Sequence, residues 1–215
     1  MTTIRMNHII AYSRRATVGR IPYASLLLTL LAVLIHMANG LRVSLIYERS
    51  VLEHLELWRL LTCHWVHLNW DHLFWSTATF LFLGSICEIF DNKKTYATIA
   101  IAAVLIPAGI WYGQPDLMIY GGLSGLDCAL YALLLTLLVK RELKSANRAW
   151  ALFYTIGLMA LLAKVTYESV TGQTIFVANT HSGMVPVPLS HLVGGFVGFM
   201  VGLSDVNNLV SRQKI

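Results

Sequence analysis

Charged residues are scarce in this chain of 215 residues, since Asp, Glu, Lys and Arg together make up only 13% of it. Soluble domains carry about 25% of these residues, so roughly half of the charge that normally covers a water-facing surface is missing. Proline is also scarce, at 5 residues, and no linker or low-complexity tract interrupts the chain. These deficits argue against a soluble enzyme, a disordered chain and a nucleic-acid-binding protein.

Cysteine is nearly absent as well, with Cys63, Cys87 and Cys128 only. An odd number of cysteines without close pairing does not indicate a disulfide framework. The net charge of +5 could mark a nucleic-acid binder. Here, however, the basic residues fall in short clusters between apolar runs, which is typical of membrane topology signals.

Long apolar runs are abundant, and hydrophobic residues make up 56% of the chain. A membrane-spanning helix needs about 17–25 mostly apolar residues. The sequence predicts six such helices, at about 22–38, 73–90, 96–113, 122–139, 150–170 and 187–203. We therefore expect an all-α, polytopic membrane bundle that forms a single domain over residues 22–203, between tails at 1–21 and 204–215.

The basic clusters predict the orientation of these helices in the membrane. With six spans, twelve Lys and Arg residues fall on one side of the membrane and four on the other. The twelve are Arg5, Arg14, Arg15, Arg20, Lys93, Lys94, Lys140, Arg141, Lys144, Arg148, Arg212 and Lys214; the four are Arg42, Arg49, Arg59 and Lys164. Positive residues favour the cytoplasmic side, so both termini are expected to be cytoplasmic. The first run also follows basic residues, as in a cleaved signal peptide. Its removal, however, would leave five spans, and the basic clusters would then no longer fall on one side of the membrane.

The longest loop, 39–71, then lies on the outer side. It carries Trp58, Trp65, Trp70 and Tyr47 among its histidines, and such a density of aromatic residues is typical of the membrane–water interface. Residues 51–61 mix leucine with charged residues, which predicts an amphipathic helix lying flat in the interface.

A serine flanked by glycines begins the fourth run, in the segment Gly121-Gly122-Leu123-Ser124-Gly125. Glycine permits a tight turn and close backbone contacts, and the free amides at a helix start stabilise negative charge. The alternative is a structural role, in which the serine only caps its helix.

A histidine lies near the start of the sixth run and is followed by a smooth glycine face, at His191, Gly194 and Gly198. A buried imidazole needs a hydrogen-bond partner, and small residues four positions apart allow two helices to pack closely. The alternative is a structural histidine within a tight helix pair.

The fourth and sixth runs cross in the same direction, so depth can be compared along them. Ser124 lies sixteen residues before Lys140, and His191 lies fourteen residues before Asp205. At about 1.5 Å per residue, both lie roughly 21–24 Å above the cytoplasmic edge. The sequence therefore predicts a Ser–His dyad in which the imidazole takes the hydroxyl proton. No third acid is obvious at this depth, although Asp127 lies one turn after Ser124.

These features resemble the rhomboid family of intramembrane serine proteases over residues 58–203. The motifs appear in the order Trp58-Arg59, His67, His72, Gly84, Glu88, Gly122-Leu123-Ser124-Gly125 and His191-x-x-Gly194-x-x-x-Gly198. The segment 61–73, LTCHWVHLNWDHL, and the small body without extra domains are similar to the rhombosortase subgroup, which is bacterial.

The resemblance implies that Ser124 is the nucleophile and His191 the general base. It also implies that His72, the side chain one turn later at Ser76, and the backbone around Gly122, Leu123 and Gly125 support the oxyanion. Two positions depart from the family pattern. Ser76 stands where an asparagine is usual, and Cys128 stands where an aromatic side chain often stacks on the base.

The resemblance further implies cleavage of transmembrane segments, or of C-terminal Gly-rich sorting tails of exported proteins, at a site that opens towards the periplasm of a bacterial inner membrane. No cofactor, metal or nucleic acid is expected. A second hypothesis is a catalytically weakened relative that only binds transmembrane helices. A third is a metal or haem protein that uses the cluster His64, His67, Asp71 and His72.

Overall fold

The computed structural model describes residues 21–52, 54–174 and 186–204 of the chain. The basic residues predicted for the two tails, at Arg5, Arg14, Arg15, Arg20, Arg212 and Lys214, lie outside the described residues. The described chain is almost entirely helical, in the order α1 (Tyr23–Met37), α2 (Asn39–Leu45), β1 (Tyr47–Glu48), α3 (Arg49–Leu52), α4 (Arg59–Thr62), a 3₁₀ turn (Cys63–Trp65), α5 (Trp70–Gly113), β2 (Ile119–Tyr120), α6 (Ser124–Lys144), α7 (Arg148–Thr171) and α8 (Pro188–Leu203).

The all-α architecture expected from the apolar runs is present. The runs at 22–38, 122–139, 150–170 and 187–203 correspond to α1, α6, α7 and α8. The runs at 73–90 and 96–113 lie in the single element α5, which is broken at Asp91, where the backbone is extended (φ −152°, ψ 88°). The carboxylate of Asp91 accepts the amide of Lys94 at 3.1 Å, so it caps the second helical segment.

Within the described residues, two helices, α5 and α7, are long and apolar enough to cross a membrane by length and composition, and α1 and α8 are shorter apolar helices. Helix α7 lies at the rim of the bundle and buries three side chains, those of Ala151, Val165 and Glu168. Its outward face carries exposed large hydrophobic side chains such as Phe153 and Ile156. Such a face is stable against lipid rather than water.

Helices α6 and α8 pack in direct backbone contact. A Cβ on Gly194 would overlap the carbonyl of Gly125, and a Cβ on Gly198 would overlap the carbonyl of Ala129. The contacts advance together along both helices, so α6 and α8 run parallel, as the depth argument requires. The smooth glycine face thus brings the helix that carries His191 onto the helix that begins at Ser124.

The loop 39–71 differs from the predicted single amphipathic helix at 51–61. The structure has two short helices, α3 and α4, separated by a turn in which Leu55 has a positive φ of 70°. The buried Arg59 draws α4 inward by donating to the carbonyls of Val43 at 2.6 Å and Ile46 at 3.0 Å. Its Nε donates to Oε2 of Glu56 at 2.7 Å, and these charge-assisted hydrogen bonds together fix the loop as a folded cap on the bundle.

Candidate active site

The turn that precedes Ser124 is pinned to the loop 39–71 by backbone contacts. Strand β2 pairs with β1 in an antiparallel register that places Tyr120 opposite Tyr47. Beyond the strand, the amide of Gly122 donates to the carbonyl of Cys63 at 3.0 Å. The folded loop therefore sets the position at which α6 begins.

Gly122 allows the ring of His72 to lie directly on this turn. The φ of Gly122 is +120°, a conformation that residues with a side chain rarely adopt. A Cβ at this position would come within 2.6 Å of Cε1 and 2.7 Å of Nε2 of His72. Both the backbone conformation and the space therefore require glycine next to the buried imidazole.

The structure brings the side chains of Ser124 and His191 together. Nε2 of His191 lies 3.1 Å from Oγ of Ser124. His191 is buried, and Ser124, the first residue of α6, is half-buried. A neutral imidazole at this distance can accept the hydroxyl proton, which is the requirement for an activated serine nucleophile.

A carboxylate that is not part of the predicted dyad contacts the other ring nitrogen of His191. Oε2 of Glu168, on α7, lies 2.7 Å from Nδ1 of His191. Oε1 of the same carboxylate accepts from Nζ of Lys164 at 2.7 Å, and that Nζ lies 3.2 Å from Nδ1 of His191. Glu168 is 2% exposed, so its charge is compensated inside the protein rather than by water.

The sequence indicates no third acid at the depth of Ser124, whereas the structure places Glu168 there, against His191. Glu168 was missed because α7 runs opposite to its neighbours in the predicted topology, so depth has to be counted from its other end. One signal was available. Lys164 and Glu168 are four residues apart, and therefore on one face, within an otherwise apolar helix.

Asp127, the acid considered from the sequence, does not contact the base in any described hydrogen bond. It is buried on α6, and its Oδ1 has no hydrogen-bond partner among the described residues. The orientation of His191 is thus set by α7 and not by the helix that carries the serine.

The residues expected around an oxyanion lie on α5 and at the start of α6. The amide of Leu123 donates to Nε2 of His67 at 3.4 Å, so it holds the turn. His72 and Ser76 are both buried, one turn apart on α5. The amides of Ser124 and Gly125 belong to the first turn of α6, where backbone donors have no intrahelical acceptor.

The two buried histidines of the loop 39–71, His64 and His67, serve as neutral packing groups. Nε2 of His64 lies 3.0 Å from the carbonyl of Ala103, and burial lowers the pKa of His64 to about 4. Burial lowers the pKa of His67 to about 3, and the neighbouring His72 lowers it further. Over residues 21–52, 54–174 and 186–204, no group of three or more His, Cys, Asp or Glu side chains could hold a metal ion.

Comparison with known proteins gives one family match. A family model described as Rhomboid domain matches residues 54–208, which is most of the chain and includes Ser124, His191 and Glu168. None of the curated proteins matches the chain.

Proposed function

The chain belongs to the rhomboid family of membrane proteins, whose members are intramembrane serine proteases, and from this premise we propose that it is an intramembrane serine endopeptidase. Ser124 is the nucleophile and His191 is the general base. The observation that carries the proposal is the 3.1 Å contact between Oγ of Ser124 and Nε2 of His191.

The reaction begins when Oγ of Ser124 attacks the carbonyl carbon of the scissile peptide bond. The hydroxyl proton passes to Nε2 of His191 as the O–C bond forms, and the electron pair of the carbonyl moves onto its oxygen. When the tetrahedral intermediate collapses, the C–N bond breaks and the leaving amine takes the proton from Nε2. Water then attacks the acyl-enzyme with the same base, which restores the serine.

The oxyanion is stabilised in this proposal by donors at the start of α6. The amides of Ser124 and Gly125 lie in the first turn of α6, where they have no intrahelical acceptor, and His72 lies against the turn at Gly122. Ser76 contributes a shorter side chain than asparagine, and Gly122 and Leu123 hold the turn in place. Losing one such donor typically costs about 10²–10³ in rate.

The proposed substrates are transmembrane segments or C-terminal Gly-rich sorting tails of exported proteins. Support comes from the segment 61–73, which is similar to the rhombosortase subgroup, and from the exposed apolar face of α7, which suits a bilayer. Small residues weaken a substrate helix, so its backbone can unwind and present a carbonyl to Ser124. We place the protein in a bacterial inner membrane, with six spans, cytoplasmic termini and a site open towards the periplasm.

A fluorophosphonate probe tests the proposal, because it phosphonylates an activated serine. The purified wild-type protein should be labelled, and the variants Ser124→Ala and His191→Ala should not be. Ser190→Ala is the matched control, since Ser190 is buried beside the base but donates its hydroxyl to the carbonyl of Val187 at 2.7 Å. It should be labelled like the wild type.

Proteolysis is the second measurement. A reporter with a Gly-rich C-terminal tail, co-expressed with the protein, should be trimmed only when Ser124 is present. A wild-type protein that binds the reporter tail but neither trims it nor reacts with the probe would contradict the peptidase and favour the helix-binding alternative.

A further inference from the structure

We propose that Glu168 is a positioning residue that completes a Ser124–His191–Glu168 triad, and that Lys164 orients its carboxylate. This inference rests on the proposed function of Ser124 and His191. It is carried by two distances on opposite sides of one imidazole, 3.1 Å from Nε2 to Oγ of Ser124 and 2.7 Å from Nδ1 to Oε2 of Glu168.

The contacts at Nδ1 decide which ring nitrogen carries the proton. A neutral imidazole has one N–H and one acceptor nitrogen. If Nδ1 were the acceptor, Lys164 could donate to it across 3.2 Å, but the carboxylate oxygen 2.7 Å away would then face a lone pair. A carboxylate is an acceptor only, so the shorter contact requires a proton on Nδ1.

The position of this proton determines the state of the other nitrogen. With the proton on Nδ1, Nε2 presents its lone pair to the hydroxyl of Ser124, which is the tautomer that a general base needs. When Nε2 takes the serine proton, the imidazolium that forms faces the carboxylate of Glu168. The buried negative charge therefore stabilises the positive charge that develops during the reaction.

Lys164 fixes which carboxylate oxygen serves the histidine. It lies one turn before Glu168 on α7 and binds Oε1 at 2.7 Å, which leaves Oε2 for His191. The side chain of Lys164 is 19% exposed, whereas that of Glu168 is 2% exposed. An unpaired carboxylate at such depth would be costly, so the lysine both neutralises the acid and holds its plane.

This arrangement makes a specific prediction for glutamine at position 168. A side-chain amide has one acceptor oxygen and one donor nitrogen. The ammonium of Lys164 can only donate, so it holds the amide oxygen and turns the NH₂ group towards Nδ1 of His191. Nδ1 then becomes the acceptor, the ring proton moves to Nε2, and the base faces Ser124 in the inactive tautomer.

The first experiment measures the rate of fluorophosphonate labelling, separated into probe affinity and reaction rate. We expect Glu168→Gln to lower the reaction rate by about 10⁴-fold, as the wrong tautomer does in serine proteases, with little change in probe affinity. Glu168→Asp keeps the carboxylate and should react faster than Glu168→Gln. A reaction rate of Glu168→Gln equal to that of the wild type overturns the inference.

The double variant Glu168→Gln/Lys164→Met separates the triad from a structural role. Without the ammonium, the amide can flip and accept from Nδ1–H, so the reaction rate should rise about tenfold or more above that of Glu168→Gln, the effect of one hydrogen bond. If the buried residues served stability alone, removing a second polar partner would not restore reactivity. A double variant no faster than Glu168→Gln contradicts the proposal.

The second experiment reads the tautomer directly and does not depend on activity. Nitrogen-15 NMR of histidine-labelled protein, with the signals of His191 assigned by their loss in His191→Gln, should show a protonated Nδ1 in the wild type and a protonated Nε2 in Glu168→Gln. Equal tautomers in the two proteins overturn the inference. Loss of labelling in the wild type with the expected tautomers would instead count against the peptidase alone.

The control for removing a buried carboxylate is Glu142→Gln at the far end of α6. Glu142 is buried and pairs with Arg141 at 2.8 Å, but it lies five turns from Ser124 along the helix. This variant should keep the wild-type labelling rate and the wild-type tautomer of His191. A tautomer change in Glu142→Gln would show that the effect is not specific to the triad and would contradict the proposal.

Discussion

Three charged side chains, those of Glu88, Arg49 and Lys94, bind the ends of helices, where backbone groups lack intrahelical partners. The carboxylate of Glu88 accepts the first amides of α1 at 2.9 and 3.1 Å. Arg49 donates to carbonyls in the last turn of α5, and Lys94 donates to carbonyls at the end of α8. Each charge matches the partial charge of its helix end, so these residues join distant parts of the chain at low electrostatic cost.

Single buried histidines make the stability of the protein depend on pH. The folded state holds His64 neutral, because burial lowers its pKa from 6.5 to about 4. Below pH 6.5 the unfolded chain binds this proton and the folded chain does not, so stability is lost as the pH falls from 6.5 towards 4. Each such group contributes about 1.4 kcal/mol per pH unit in that window. The free energy of unfolding in detergent, measured at several pH values, should therefore decrease on acidification.

Substitution identifies the contribution of this residue. His64→Gln keeps an amide donor for the carbonyl of Ala103 but cannot titrate, so the pH dependence below 6.5 should become less steep by about 1.4 kcal/mol per pH unit. His54→Gln, at an exposed position of the same loop, is the control and should keep the wild-type slope. An unchanged slope in His64→Gln would show that acid acts elsewhere in the molecule.

At the scale of helices, the contact between α6 and α8 brings the base to the nucleophile. A Cβ at Gly198 would overlap the carbonyl of Ala129, which is backbone and cannot rotate away. Gly198→Ala should therefore separate the helices, destabilise the protein by about 1–3 kcal/mol and reduce fluorophosphonate labelling of Ser124. Both quantities can be measured on one detergent-purified sample.

Gly195→Ala is the matched control on the same helix. Its added Cβ would meet Cδ2 of Leu161 at 3.0 Å, the flexible end of a side chain that can move. Its stability and labelling should stay close to those of the wild type. Equal loss in both variants would mean that any methyl group added to this helix disturbs the packing, and that the contact with Ala129 is not the cause.

The helices were predictable because apolar length and small-residue spacing are local properties of the sequence. The turn at Leu55 and the contacts of Arg59 with the carbonyls of residues 43 and 46 were not predictable, because they arise from packing between segments. The proximity of Ser124 and His191 followed from depth along two parallel helices. Glu168 could not be derived in that way, because its register against His191 depends on how α7 docks.

At the scale of the whole molecule, one end of the bundle gathers lysines from two separate segments of the chain. Lys94, at the break of α5, and Lys140, near the end of α6, both donate to backbone carbonyls at the end of α8. Ser124 lies at the opposite end of α6 from Lys140. By the positive-inside rule this arrangement predicts that the lysine end faces the cytoplasm and the serine end the outer side, as we propose.

Cysteine accessibility tests this orientation together with the six-span topology. Cys63, Cys87 and Cys128 are buried and can be replaced by serine or alanine to give a background without thiols. On that background, Asp116→Cys, in the exposed loop after α5, should react with a membrane-impermeant maleimide in intact spheroplasts. Asn147→Cys, between α6 and α7, should react only in inverted vesicles, as should Ser211→Cys in the tail outside the described residues.

The pattern of the three positions distinguishes the possible topologies, because each odd number of crossings changes the side. Asp116 and Asn147 are separated by α6 alone, so they must differ if α6 crosses the membrane. Asn147 and Ser211 are separated by α7 and α8, so they must agree if both cross. Agreement between Asp116→Cys and Asn147→Cys would remove α6 as a span, and with it the placement of Ser124 at the outer face on which the proposed peptidase depends.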